Sequence, residues 1–294
     1  MNFEELRKLI KENSIKGINS FDASIELIQS QIFQLDKQAL KPLIKEIGTI
    51  PEDIEHDSTE EKLYSKVGDI LLAKAFYELG MKAEVIKERA NCADVIGKSE
   101  IYEYSFVADA KAFRLSRTAK NQKDYKVTSM AEWKGDNDYA VLVCPFYQYP
   151  STKSQIYGQA LDDNVCLLSW EHLLFLLESD VKETNDINLS LIWNMSESIS
   201  ENITVKDKNL NFYDEYNKLI CENLSLNYEN LRECFSGCKT GIISRGENEV
   251  IFWEGRLEEV KSYNREQAVK ELIIALKLNE KISKIKEFIE KLRD

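Results

Sequence analysis

Residues 59–80 limit the possible folds more than any other part of the chain, because they set up a helical period that the next residues abandon. Thr59 to Leu79 reads TEEKLYSKVGDILLAKAFYEL. Ser58 or Thr59 can cap its start, Glu60 and Glu61 sit in the first turn where the helix dipole favours negative charge, and Gly80 ends it. Leu63, Val67, Ile70 and Leu71 recur at helical spacing and predict its buried stripe. Past Gly80 the period becomes two. KAEVIKERA, the segment around ADVIG and IYEYSFVADAKAF read as strands, with Gly97-Lys98-Ser99-Glu100 as the turn between the last two. DYAVLVCPF and NVCLLSW follow as buried strands, separated by a helix at SQIYGQALD and closed by EHLLFLLES. Strands alternating with helices predict an α/β fold, a mixed central sheet flanked by helices.

Helical patterns dominate on both sides of this core. FEELRKLI, SFDASIELIQSQIFQL and DKQALKPLIKEI precede it, with Ser20 or Asp22 and Asp36 as caps. DEYNKLICENL, YENLRECF, NREQAVKELIIALK and KISKIKEFIEKLRD follow it, after a polar connector at SESISENITVKDKNLN. The expected organisation is a helical region at residues 1–55, a core at 56–190 and a mainly helical region at 191–294. The charged N-terminus shows no signal peptide and no segment reaches membrane-spanning length, so a cytoplasmic protein without membrane contact is expected. Six scattered cysteines are then free thiols, and Cys234 with Cys238, lacking a nearby histidine, are helix-packing groups rather than zinc ligands.

The net charge of -12 argues against nonspecific coating of nucleic acid. Against that background, Lys111 to Lys126 (KAFRLSRTAKNQKDYK) carries Lys111, Arg114, Arg117, Lys120, Lys123 and Lys126 and a single acid, Asp124. Such a stretch suits an anion. On the strand before it, Asp109 and Lys111 project from one face, with Val107, while Phe106, Ala108, Ala110 and Ala112 offer a small-residue face to a helix. Asp94 lies fifteen residues before Asp109, a separation that suits the two strands of a hairpin. Phosphodiester hydrolysis calls for carboxylates that hold a divalent metal and a lysine that meets developing charge. This D-x14-D-x-K arrangement provides both, although spacing alone equally allows Asp94 to cap a turn and Asp109 to pair with Lys111 at the surface. Glu61 can reach a metal from above or simply complement the helix dipole. His56 and His172 are the only histidines, which disfavours histidine nuclease or serine-triad chemistry and leaves His172 a structural role. Tyr147, Tyr149 and Lys153 fit either a DNA cleft or strand-end packing.

The segments STEEKLYSKVGDILLAKAF, ADVI, VADAKAFRLSRTAKNQKDYKV and EWKGDNDYAVLVCPFYQYPSTKSQIYGQALDDNVCLLSWEHL resemble the HindIII-type family of type II restriction endonucleases, within the PD-(D/E)xK nuclease superfamily. The likeness is close from about residue 46 to 190 and expected to fade beyond about 220. It implies an EcoRI-like core, a homodimer on double-stranded DNA, Mg2+ as cofactor, recognition of AAGCTT with cleavage after the first A, and a cognate methyltransferase acting on the same site. Asp109 and Lys111 match the family's catalytic pair, with Asp94 and Asp109 as metal ligands. The family has a glutamate where this chain has Lys87, and the neighbouring Glu88 replaces it only if the strand bulges or slips by one residue. For DNA reading, Asn121 and Gln122 suit adenine edges, Asp124 a cytosine amino group, and Arg114, Arg117, Thr118, Lys120, Lys123 and Lys126 suit phosphates or base edges. Two further readings remain open, a catalytically silent DNA-binding relative and a structure-selective nuclease.

Overall fold

The computed structural model describes residues 1–15, 20–87, 92–117, 122–151, 153–202 and 212–291 of the 294-residue chain. The chain forms two compact units, Met1–Ile243 and Ser244–Asp294. The first begins with α1 (Phe3–Ser14), α2 (Phe21–Phe33) and α3 (Lys37–Ile47), N-capped by Asn2, Ser20 and Asp36. Each cap satisfies a backbone N–H that the first helical turn leaves without a partner. Next comes α4 (Thr59–Glu78), whose cap Ser58 accepts from the Glu61 N–H. Gly80, at φ 94°, takes the left-handed conformation that lets the chain leave the helix, and its N–H donates to Tyr77 O.

The stripe expected on α4 is only part of what it buries. Tyr64, Asp69, Leu72, Ala73, Lys74, Ala75 and Phe76 are buried as well. Helices α1 to α3 contact α4, and so does the sheet, leaving little of its surface in water. The sheet runs β1 (Lys82–Val85), β2 (Val95–Lys98), β3 (Ser105–Ala110), then α5 (Gln122–Tyr125), α6 (Val127–Lys134), β4 (Tyr139–Cys144), α7 (Gln155–Asp162), β5 (Val165–Ser169) and α8 (Trp170–Glu178). Spatial order follows chain order. The first three strands are antiparallel, and β4 and β5 continue parallel to β3 through helical crossovers. The mixed sheet flanked by helices is the architecture expected from the change of period.

Three local expectations need correction. Gly97 and Lys98 belong to β2, and the turn falls later, where the Ser99 N–H donates to Tyr104 O and the Ser99 hydroxyl accepts from the Ile101 and Tyr102 N–H groups. Part of the polar connector is helical, since α10 (Met195–Asn202) runs into it after α9 (Ser190–Trp193). Helix α9 brings Trp193 onto the core, stacked on Phe106 at 5.2 Å. After α11 (Phe212–Asn223), α12 runs as one 34-residue helix, Tyr228–Lys261, well past the YENLRECF pattern that announced it. Cys234 and Cys238 are free thiols on that helix, as expected. The second unit holds the end of α12 together with α13 (Arg265–Ala275) and α14 (Leu278–Lys291), and Ile251, Leu257, Leu272 and Ile285 are exposed there. No described helix is long and apolar enough to cross a membrane.

Candidate metal centre

The strand ladder brings the expected acids together. Val95 pairs with Ala108, and one step further the Asp94 N–H donates to Ala108 O at 3.2 Å, so Asp94 and Asp109 arrive side by side from antiparallel strands. On the other side, the Ile86 N–H donates to Asp94 O. Asp109 is 1% exposed and forms the floor of the site. Lys111 Nζ lies 2.5 Å from Asp109 Oδ2. The Lys111 backbone is held at both ends, its N–H donating to Val143 O at 2.7 Å and its carbonyl accepting from Trp170 Nε1 at 3.0 Å.

A third carboxylate comes from α4, and the strand pattern did not reveal it. Asp69, Asp94 and Asp109 each present an oxygen within 4.8 Å of the other two. Helix and sheet approach closely here, since a Cβ on Gly68 would lie 3.9 Å from that of Ala110. Lys66, one helical turn before Asp69, places Nζ 3.1 Å from Asp69 Oδ2 and hydrogen-bonds Asp94. The signal for these two residues was present in the sequence, as a Lys-x-x-Asp pair one helical turn apart on α4, with Asp69 beside the apolar stripe residue Ile70.

Burial is the main influence on these groups. It raises the Asp69 carboxyl well above its usual range, helped by the neighbouring Asp94 charge and opposed by Lys66. Asp109 is also raised by burial, against the pull of Lys111. For Lys111, burial favours the neutral amine, but the Asp109 charge outweighs it and the ammonium is held above its usual range. Fully ionised, three carboxylates against two ammoniums would leave one net negative charge. Asp109 Oδ1 is buried without any hydrogen-bond partner. A buried anionic oxygen lacking a donor is costly, and hard oxygen donors converging on it are what Mg2+ takes as ligands. The residues present therefore fit a divalent cation held by Asp94 and Asp109.

These groups line a cleft of about 1070 Å³ that also includes Lys62, Lys126, Trp133 and Trp170. The basic stretch leaves it in an orderly way. Phe113 bridges to Thr49 alongside β3, and Glu52 accepts from the Ser116 N–H and hydroxyl at 2.9 and 2.8 Å. Arg114 turns inward, donating to Pro51 O at 2.8 Å and Glu61 Oε1 at 2.6 Å. Arg117 pairs with Asp124 at 2.5 Å and lies over the Phe113 ring. Lys123 is exposed, and Lys126 lies over Trp133, 5.3 Å from the ring centre. Thr118, Lys120, Asn121 and Glu88 fall outside the described residues, as does the Gln122 side chain.

Other candidates are placed elsewhere. Glu61 is tied to Arg114 and to the Asp57 N–H, away from the three aspartates. Together with His56 and Asp57 it forms a separate cluster, two carboxylates and an imidazole, near the surface. Lys87 is exposed and pairs with Glu26. Tyr147 and Tyr149 are committed to packing, their hydroxyls donating to Phe235 O and Leu168 O. Lys153 is exposed. His172 is fully buried, held by Ser169 and Asn217, and burial lowers it to about 4, in keeping with a structural role.

Comparison with known proteins finds a family match and a curated relative. The family model described as HindIII restriction endonuclease matches residues 5–289. The type II restriction enzyme HindIII of Haemophilus influenzae is 41% identical to this chain over 269 residues, 92% of this chain and 90% of that protein. The match runs through the C-terminal helices, where the likeness was expected to fade.

Proposed function

The chain belongs to the HindIII restriction endonuclease family, and from that premise we propose that it is a type II site-specific deoxyribonuclease that cuts double-stranded DNA at AAGCTT, after the first A, with Mg2+ as cofactor. It acts as a homodimer with an EcoRI-like core, one active site for each strand of the palindrome, and a cognate methyltransferase protects the same sequence. One observation carries the chemistry. Asp109, whose Oδ1 is buried without a donor, clusters with two further aspartates beside a lysine charged by its neighbour.

Asp94 and Asp109 would hold the cation, and Glu88 would add a further carboxylate if it turned into the cleft. When bound, Mg2+ supplies the positive charge that a phosphodiester needs before it can accept a nucleophile at neutral pH. Lys111 works as a donor. Because Asp109 keeps its ammonium protonated, it orients the attacking water and hydrogen-bonds the extra negative charge that builds on phosphorus. Its backbone anchors on β4 and α8 hold that ammonium against drift. The attacking water oxygen bonds to phosphorus as the bond to the departing sugar oxygen breaks in line with it, the water's proton passing to solvent and the departing oxygen taking up a proton from solvent.

DNA reading falls to the segment after β3. Asn121 and Gln122 suit adenine edges, Lys123 and Asp124 guanine and cytosine, and Arg117, Thr118, Lys120 and Lys126 the flanking phosphates. Arg114, held by Glu61, braces the base of this segment rather than its tip. The test is digestion of one sequenced plasmid with and without Mg2+, followed by mapping of the ends. Mg2+-dependent cuts confined to AAGCTT are expected. Binding without cleavage would indicate a silent relative, cuts at junctions or ends a structure-selective nuclease, and either would overturn the proposal.

A further inference from the structure

Three carboxylates cannot share a space of 4.8 Å as anions unless cations separate them. Lys111 serves Asp109. The other two are served by Lys66, whose ammonium bridges Asp69 and Asp94. Mg2+ sits about 2.0–2.1 Å from its oxygen ligands, and an ammonium hydrogen-bonds the same oxygens from about 2.7–2.9 Å. Both compete for the same lone pairs in the same small space. Lys66 can yield it, because its side chain is 27% exposed, on a flexible stem, and lines the cleft through which the metal would enter. Asp69 has no such freedom, at 4% exposure on a helix packed on both sides.

We propose that Lys66 is a built-in stand-in for the divalent cation. Its ammonium holds Asp69 and Asp94 together in the metal-free enzyme and is displaced when the metal binds, whereupon Asp69 becomes a third ligand beside Asp94 and Asp109. This rests on the metal site proposed above and adds two residues to it. The device has a physical purpose: without it the metal-free enzyme would carry mutually repelling buried carboxylates, and with it metal binding must overcome an internal competitor.

Mn2+ binding to the wild-type chain and to Lys66→Met, Asp109→Asn and Lys66→Met/Asp69→Asn, measured by calorimetry without DNA, tests the proposal. Removing the competing ammonium should tighten Mn2+ binding by on the order of ten- to a hundredfold, the scale of one charge at close range. In the Lys66→Met background, Asp69→Asn should weaken it by about tenfold. Binding that survived Asp109→Asn would overturn the underlying site and this inference with it. Binding that depended on Asp109 but was unchanged by Lys66→Met would overturn the inference alone. A measurement on the wild-type chain guards against a variant that fails to fold. Lysine acylation read by mass spectrometry should increase at Lys66 when Mg2+ is added, and labelling that stayed constant or fell would contradict displacement.

Discussion

Gly97→Ala tests the strand pairing on which the metal centre depends. Gly97 pairs across the ladder with Phe106, and a Cβ at position 97 would lie 2.2 Å from Phe106 Cζ and 2.6 Å from Cε1. Ordinary contact needs at least about 3.4 Å, so ring or strand must move by about 1 Å or more. The ring cannot move freely, since it is fully buried, stacked on Trp193 at 5.2 Å and edge-on to Phe76 at 4.9 Å. Strand β2 must therefore shift, and Asp94 lies one residue before it. Overpacking of this kind costs typically 1–3 kcal/mol, and a collision with a pinned ring belongs near the top, at about 3 kcal/mol. Urea denaturation followed by tryptophan fluorescence measures the loss, and Mn2+ affinity should fall with it as Asp94 moves from Asp109. In a Phe106→Leu background, where no ring stands opposite, the same substitution should cost below about 1 kcal/mol. A loss under about 0.5 kcal/mol in the single variant, or an equal loss in both backgrounds, would refute the reasoning.

Lys111→Met should keep site-specific binding within a few-fold while lowering the single-turnover cleavage rate by about 100-fold or more, as for loss of a transition-state donor; near-normal cutting would remove Lys111 from the chemistry. Arg114→Met should cost about 1–3 kcal/mol, because Glu61 Oε1 and Pro51 O lose the guanidinium that donates to them. A variant of unchanged stability whose DNA affinity depends less steeply on salt would instead make Arg114 a phosphate contact. His172, near 4 folded and 6.5 unfolded, contributes stability that is complete above pH 6.5 and lost as pH falls toward 4. His172→Gln should remove about 3 kcal/mol of acid-induced loss between pH 7.5 and 4, with Glu171 present in both proteins and so cancelling; equal losses would contradict a buried neutral imidazole. Asn121→Ala should reduce discrimination between AAGCTT and single-base variants more than overall affinity, and a uniform loss across all sites would exclude base reading.

If the segment after β3 reads DNA as proposed, its adjacency to Lys111 would offer a route from recognition to catalysis. A displaced segment would strain Phe113, which backbone hydrogen bonds hold between Gly48 and Ile50 two residues past Lys111. Mismatched sites should then be cut slowly even when saturated.

Much of this was legible in residue spacing. The 3.6-residue period with its caps marks α1 to α4, and the period of two marks β3, so the sequence alone places Asp109 and Lys111 on one face. Asp94 was legible too, because a fifteen-residue separation matches a hairpin return. These are local properties, set by hydrogen bonds and side-chain directions within a few residues. What lies across from a residue is a property of packing. Only the tertiary structure shows that Asp69 and Lys66 complete the cluster, because that depends on how closely α4 approaches the sheet where Gly68 meets Ala110. Likewise Arg114 belongs to a basic run by sequence and to a partly buried ion pair by structure, since Glu61, fifty-three residues earlier, supplies a partner that no short-range pattern records.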